Sequence, residues 1–92
     1  KPDDYPAYIS KLVMDLIQKK TFLNLHQEEL EEVGQQLGIA DLGKKVSAFI
    51  TTYYDIWADG VITNIERRKF QFVGKGMKMP DKTVEKLLSK KI

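Results

Sequence analysis

The chain has 92 residues, 42% hydrophobic and 30% charged with both signs mixed, a composition that fits one globular domain and excludes wholesale disorder. It has no cysteine, which excludes disulfides, thiolate metal sites and a cysteine nucleophile. The net charge is only +2, yet residues 1–66 hold six Lys/Arg against eleven Asp/Glu and residues 67–92 hold nine against two, which suits attraction within the domain or an anionic partner.

Helical periodicity runs through the whole chain. Tyr8, Ile9, Leu12, Val13, Leu16 and Ile17 recur at three- and four-residue steps and predict a first amphipathic helix. Asp3, Asp4 and Pro6 stand where a cap and a first-turn proline belong. Asn24 with Gln27 reads as a capping box for a second helix, which turns Leu30, Val33 and Leu37 inward. Its early acids, Glu28, Glu29, Glu31 and Glu32, suit the helix dipole and otherwise form a solvated face, and Gly38 stops the helix. Asp41 is placed to cap a third helix with apolar residues Leu42, Val46, Phe49, Ile50, Tyr53, Tyr54 and Trp57, ending at Asp59-Gly60. Thr63 and Glu66 form a T-x-x-E capping box ahead of Phe70, Val73 and Met77, and Gly74 and Gly76 weaken that helix and mark its end. Pro80 and Asp81 open a last helix with Val84, Leu87 and Leu88 inward. The expectation is a single all-α domain over 1–92, a compact bundle of about five helices. The one rival is a very short extended segment over 60–63.

An offset of 40 residues aligns Asp15 with Asp55, Asn24 with Asn64, Val33-Gly34 with Val73-Gly74 and Asp41 with Asp81. Apolar positions follow without a gap, as in Leu25/Ile65, Leu30/Phe70, Leu37/Met77 and Ile39/Met79. The match points to two pseudo-equivalent helix–loop–helix units packed together.

Residues 55–66 have the twelve-residue spacing of an EF-hand calcium loop, which sets oxygen ligands at positions 1, 3, 5, 7, 9 and 12 around a glycine at 6. Asp55, Asp59, the Val61 carbonyl, Thr63 and Glu66 fall at ligand positions, and Gly60 takes the turn. Trp57 replaces the ligand at position 3, so calcium or another divalent cation is expected to bind only weakly, at about 10⁻⁴–10⁻³ M. The same residues also read as a helix-stop turn at Asp59-Gly60 followed by a capping box. The matching stretch of the first unit has Lys19-Lys20 and His26 in place of these groups, and no cation is expected there.

The run ADGVITNIERRKFQFVGKGMKMPDKTVEKLL, residues 58–88 and about a third of the chain, resembles the tellurite-resistance TerB-like helical domains. These carry an A-D-G-x-[IV]-[ST]-x-x-E turn and helix start, then a glycine-ended helix and a short terminal helix. The resemblance implies an all-helical bundle used in bacterial stress-response or membrane-associated assemblies. It also implies an acidic metal-binding site, carried here by Asp59 and Glu66.

Catalysis is not expected, because His26 is the sole histidine and lacks a nucleophile or ligand partner, and Gly74-Lys75-Gly76 lacks the context of a phosphate loop. The expected function is a non-enzymatic protein-interaction or scaffold module. Trp57, Phe70 and Phe72 are its candidate partner-binding residues, since aromatics are enriched at interfaces. Phe70 and Phe72 cannot share one helix face, so one of them is the candidate exposed anchor. The alternative is a nucleic-acid-binding domain that sets Arg67, Arg68, Lys69, Lys75 and Lys78 against phosphates, with Lys82, Lys86, Lys90 and Lys91 following. An anionic membrane surface is a weaker candidate for the same lysines. No apolar run reaches the roughly 20 residues of a membrane span, and with no signal visible the expected location is cytoplasmic. The first residue is Lys1 rather than Met, which fits a processed or partial chain.

Overall fold

A computed structural model describes residues 4–19 and 27–91. It contains helices α1 (Tyr5–Lys19), α2 (Gln27–Leu37), α3 (Leu42–Trp57), α4 (Asn64–Gly76) and α5 (Asp81–Ser89). The all-α expectation holds: among the described residues there is no strand, and 61–63 form an irregular link. The expected caps at Asp3 and Asn24, and His26, lie outside the described residues. No helix among the described residues is long and apolar enough to cross a membrane.

The third helix is the centre of the bundle. It packs on α1, α2 and α4, while α5 packs on α4. Leu42, Val46, Phe49, Ile50, Tyr53 and Ile56 of α3 are buried, which makes α3 the most apolar surface the other helices can cover. Phe49 stacks on Phe70 of α4, with ring centroids 4.2 Å apart and planes 18° from parallel. Such aromatic pairs add about 0.5–1.5 kcal/mol beyond the area they bury. From α1, Ile9, Val13, Leu16 and Ile17 complete the core, and Tyr5 reaches across it to donate its hydroxyl hydrogen to the Met77 carbonyl. The far end is tied twice, by Trp57 Nε1 donating to the Leu87 carbonyl at 3.0 Å and by Tyr54 donating to the Ile17 carbonyl at 3.1 Å.

The expected repeat has a backbone counterpart at both helix ends. At the end of α2 the Ile39 amide donates to the Gly34 carbonyl (2.8 Å), the Gly38 amide to the Gln35 carbonyl (3.4 Å), and Gly38 is left-handed at φ +74°. Forty residues on, Met79 donates to Gly74 (2.9 Å), Lys78 to Lys75 (3.0 Å), and Lys78 is left-handed at φ +56°. Both are Schellman ends, and in both the residue after the left-handed one, Ile39 or Met79, is buried. Gly34 and Gly74 therefore do more than weaken a helix. A Cβ on Gly34 would lie 2.6 Å from the Ile39 carbonyl oxygen, and one on Gly74 would lie 3.0 Å from Val84 Cγ2. The helix of the second unit continues through Gly74 and ends at Gly76.

One expected cap is overturned. Asp41 precedes α3 but has φ +54° and makes no side-chain cap bond. A side-chain cap needs an extended backbone at that position, and the tight reversal between α2 and α3 imposes a left-handed one. Glu31 of α2 does the capping instead, its Oε1 accepting from the Gly43 amide at 3.0 Å. That gives a structural task to a side chain expected only to face water.

Candidate functional site

The 58–63 link is built by local hydrogen bonds. Gly60 takes φ +75°, a conformation only glycine adopts without cost, and its amide donates to the Trp57 carbonyl at 3.3 Å. Asp59 Oδ1 accepts from the Val61 amide at 3.0 Å, closing an Asx turn. Thr63 Oγ1 accepts from the Glu66 amide (3.1 Å) and Glu66 Oε1 accepts from the Thr63 amide (3.0 Å), so the expected capping box is complete.

The calcium-loop geometry requires the chain to leave the helix at its first ligand. Here α3 runs on through Trp57, which keeps Asp55 on the last helical turn. Among the described residues no three acidic or histidine side chains gather into a group able to hold an ion, and this applies to Asp55, Asp59 and Glu66. Asp59 and Glu66 are placed by what they do for the backbone: one closes a turn and the other starts a helix.

The candidate partner-binding aromatics are dispersed. Phe70 is fully buried, which removes it from any surface, because its ring is needed against Phe49. Trp57 is partly buried with its indole N–H engaged. Phe72, two residues from Phe70, is 78% exposed. On a helix of 3.6 residues per turn, the residue seven positions away shares its direction. That residue is Ile65, which is 80% exposed. In the sequence Ile65 stands out only as the apolar counterpart of Leu25 in the repeat. Its seven-residue spacing to Phe72, out of phase with Phe70 and Met77, was the available signal. Between the two lie Arg68 and Lys69, both exposed.

The basic residues divide in the same way. Arg67 leans to α5, 3.9 Å from Glu85, and Gln71 one turn on donates to that same carboxylate at 2.9 Å. Arg68 and Lys69 are exposed on the outer side, Lys75 lines a cavity with Asp81 and Glu85 of α5, and Lys78 sits in the left-handed turn. The expected phosphate-facing set is thus split among an α5-facing edge, an outer face and a turn.

A second concave region lies between α1 and α2, a cleft of about 300 Å³ whose walls include Tyr5, Tyr8, Glu29, Val33 and Leu37. Tyr8 donates to Glu29 Oε1 at 3.2 Å. Burial pushes the Tyr5 phenol up to about 12, with a smaller effect of neighbouring Tyr8. Burial likewise pushes Tyr8 up to about 12, helped by the Glu29 charge and hydrogen bond. Compared with known protein families, curated proteins and solved structures, the chain matches none.

Proposed function

We propose that this domain is a non-enzymatic protein-interaction module that docks a partner on the outer side of α4. One observation carries the reading: Ile65 and Phe72, four-fifths exposed, stand on a single helix face while Phe70 and Gly74 seal the opposite one. Exposed single apolar residues are ordinary, but two large ones in register make a stripe about 10 Å long. Burying each at an interface contributes about 1.5–3 kcal/mol, enough to dominate a small contact. The resemblance to TerB-like domains supports the same class, since it implies a bundle used in stress-response or membrane-associated assemblies.

The reading is tested by replacing Ile65 and Phe72 with serine and comparing what the two proteins retain from an extract of the source cells. Each retained protein is then purified and titrated against both chains. Binding to the parent that drops at least tenfold in the double variant supports the reading. Equal binding to both would move the docking site elsewhere.

A nucleic-acid reading has one observation of its own, the exposed Lys82, Lys86 and Lys90 at four-residue steps along and just beyond α5. A gel shift with generic duplex that weakens steeply with salt, and is lost when these three lysines become glutamine, would favour it.

A further inference from the structure

We infer that the partner seated on α4 is an acidic amphipathic helix. This rests on the interaction-module reading and adds the chemistry of the occupant. The stripe Ile65–Phe72 is interrupted only by Arg68 and Lys69, and neither side chain makes an ion pair or hydrogen bond among the described residues. Lys75, one turn beyond Gln71 on the α5-facing row, lines a cavity with Asp81 and Glu85 of α5 and stays outside the stripe. Arg67, 3.9 Å from Glu85, faces α5 and is outside the stripe. A partner helix with apolar residues one and two turns apart covers Ile65 and Phe72, and carboxylates beside them meet Arg68 and Lys69. Such an arrangement adds charge complementarity to apolar burial.

A second copy of this chain fits poorly. In an antiparallel pairing of two α4 helices, Ile65 meets Phe72 of the other copy and the Arg68–Lys69 pairs meet each other at the centre, where like charges repel. The acidic helix α2 cannot serve as the occupant either. Tyr54, Val61, Ile65 and Phe72 are the exposed large apolar residues among those described, and none is on α2.

The test uses the full 92-residue chain and three helical peptides that share one leucine pattern, spaced three, four and seven residues apart. Their flanks are glutamate, glutamine or lysine. Amide shifts are followed by NMR, with vesicles of phosphatidylglycerol and phosphatidylcholine as a further arm. The glutamate peptide should shift amides of 64–76 and bind about tenfold more tightly than the glutamine peptide. The paired charge reversal Arg68→Glu, Lys69→Glu should invert the preference toward the lysine peptide. Phe72→Ser should abolish binding of all three without altering the melting temperature. Equal affinity for the three peptides at the same amides would overturn the acidic partner while keeping α4 as the docking face. Vesicle binding that depends on Phe72 and exceeds peptide binding would overturn it in favour of lipid. No shift over 64–76 with any ligand would overturn both the acidic partner and the docking face.

Discussion

The helices α2 and α4 occupy equivalent places in the two halves of the chain, and they differ on only one side. Inward, α2 sets Leu30, Val33, Gly34 and Leu37 where α4 sets Phe70, Val73, Gly74 and Met77. Outward, α2 carries Glu28 and Glu32 where α4 carries Arg68 and Phe72. The inner sides agree because each must cover α3 and end in the same Schellman turn. The outer sides are under no such constraint, and there α4 reverses the charge and exposes a phenyl ring. Folding explains the first set of residues, and the proposed docking face draws on the second.

The largest expected effect breaks the inner side. Phe70→Ala leaves Phe49 without its stacking partner at the centre of the bundle and should cost about 3–5 kcal/mol, read from chemical denaturation. The two crossing glycines come next and should not be equal. A Cβ on Gly34 meets backbone, the Ile39 oxygen at 2.6 Å, and Leu42 Cβ at 2.9 Å, so little can yield. Gly34→Ala should cost about 2–3 kcal/mol even after the gain in helix propensity. At Gly74 the nearest atoms are the side-chain tips of Val84 and Phe49 at 3.0 and 3.2 Å, and Gly74→Ala should cost about 1 kcal/mol or less. Equal losses at the two sites would contradict this distinction and show that the backbone at Gly34 yields as readily as the side chains at Gly74.

Smaller changes sharpen the comparison at the helix termini. Thr63→Ala removes half of a complete capping box and should cost about 1 kcal/mol. Lys78 holds the left-handed position that glycine holds at 38, so Lys78→Gly should stabilise the domain by about 0.5–1 kcal/mol. The last effect is a change in pH dependence and shows only above pH 10. Tyr5 and Tyr8 have pKa values raised from 10 to about 12 in the folded chain, so between those values the folded state holds more protons than the unfolded one. Their contribution is complete below pH 10 and is lost as the pH rises toward 12. Tyr5→Phe with Tyr8→Phe should flatten that alkaline decline in the thermal midpoint.

Much of this fold could be read from the sequence because its elements are punctuated by residues with one local use. The Thr63–Glu66 box, the Gly38 stop, the Pro80 start and the three- and four-residue spacings are decided within a turn or two of chain. What could not be read depends on distant partners. Asp41 has the composition of a cap, but the reversal before α3 sets its backbone, and the task passes to Glu31 from another helix. Gly74 reads as a helix breaker until Val84 and Phe49 are seen pressed against it. The twelve-residue acidic loop has the spacing of a metal site, and only the structure adds that α3 continues through its first three positions while the capping box engages Glu66. Of Phe70 and Phe72, the spacing shows that one faces outward, and only the packing on Phe49 shows which.

The division of labour on α4 is tested most directly by denaturant unfolding of the Ile65→Ser, Phe72→Ser double variant beside the parent chain. Unfolding free energies within about 0.5 kcal/mol of each other are expected, since surface substitutions away from packing have effects of that size. A loss of several kcal/mol would place both side chains in the core and leave α4 without an outer face to offer a partner.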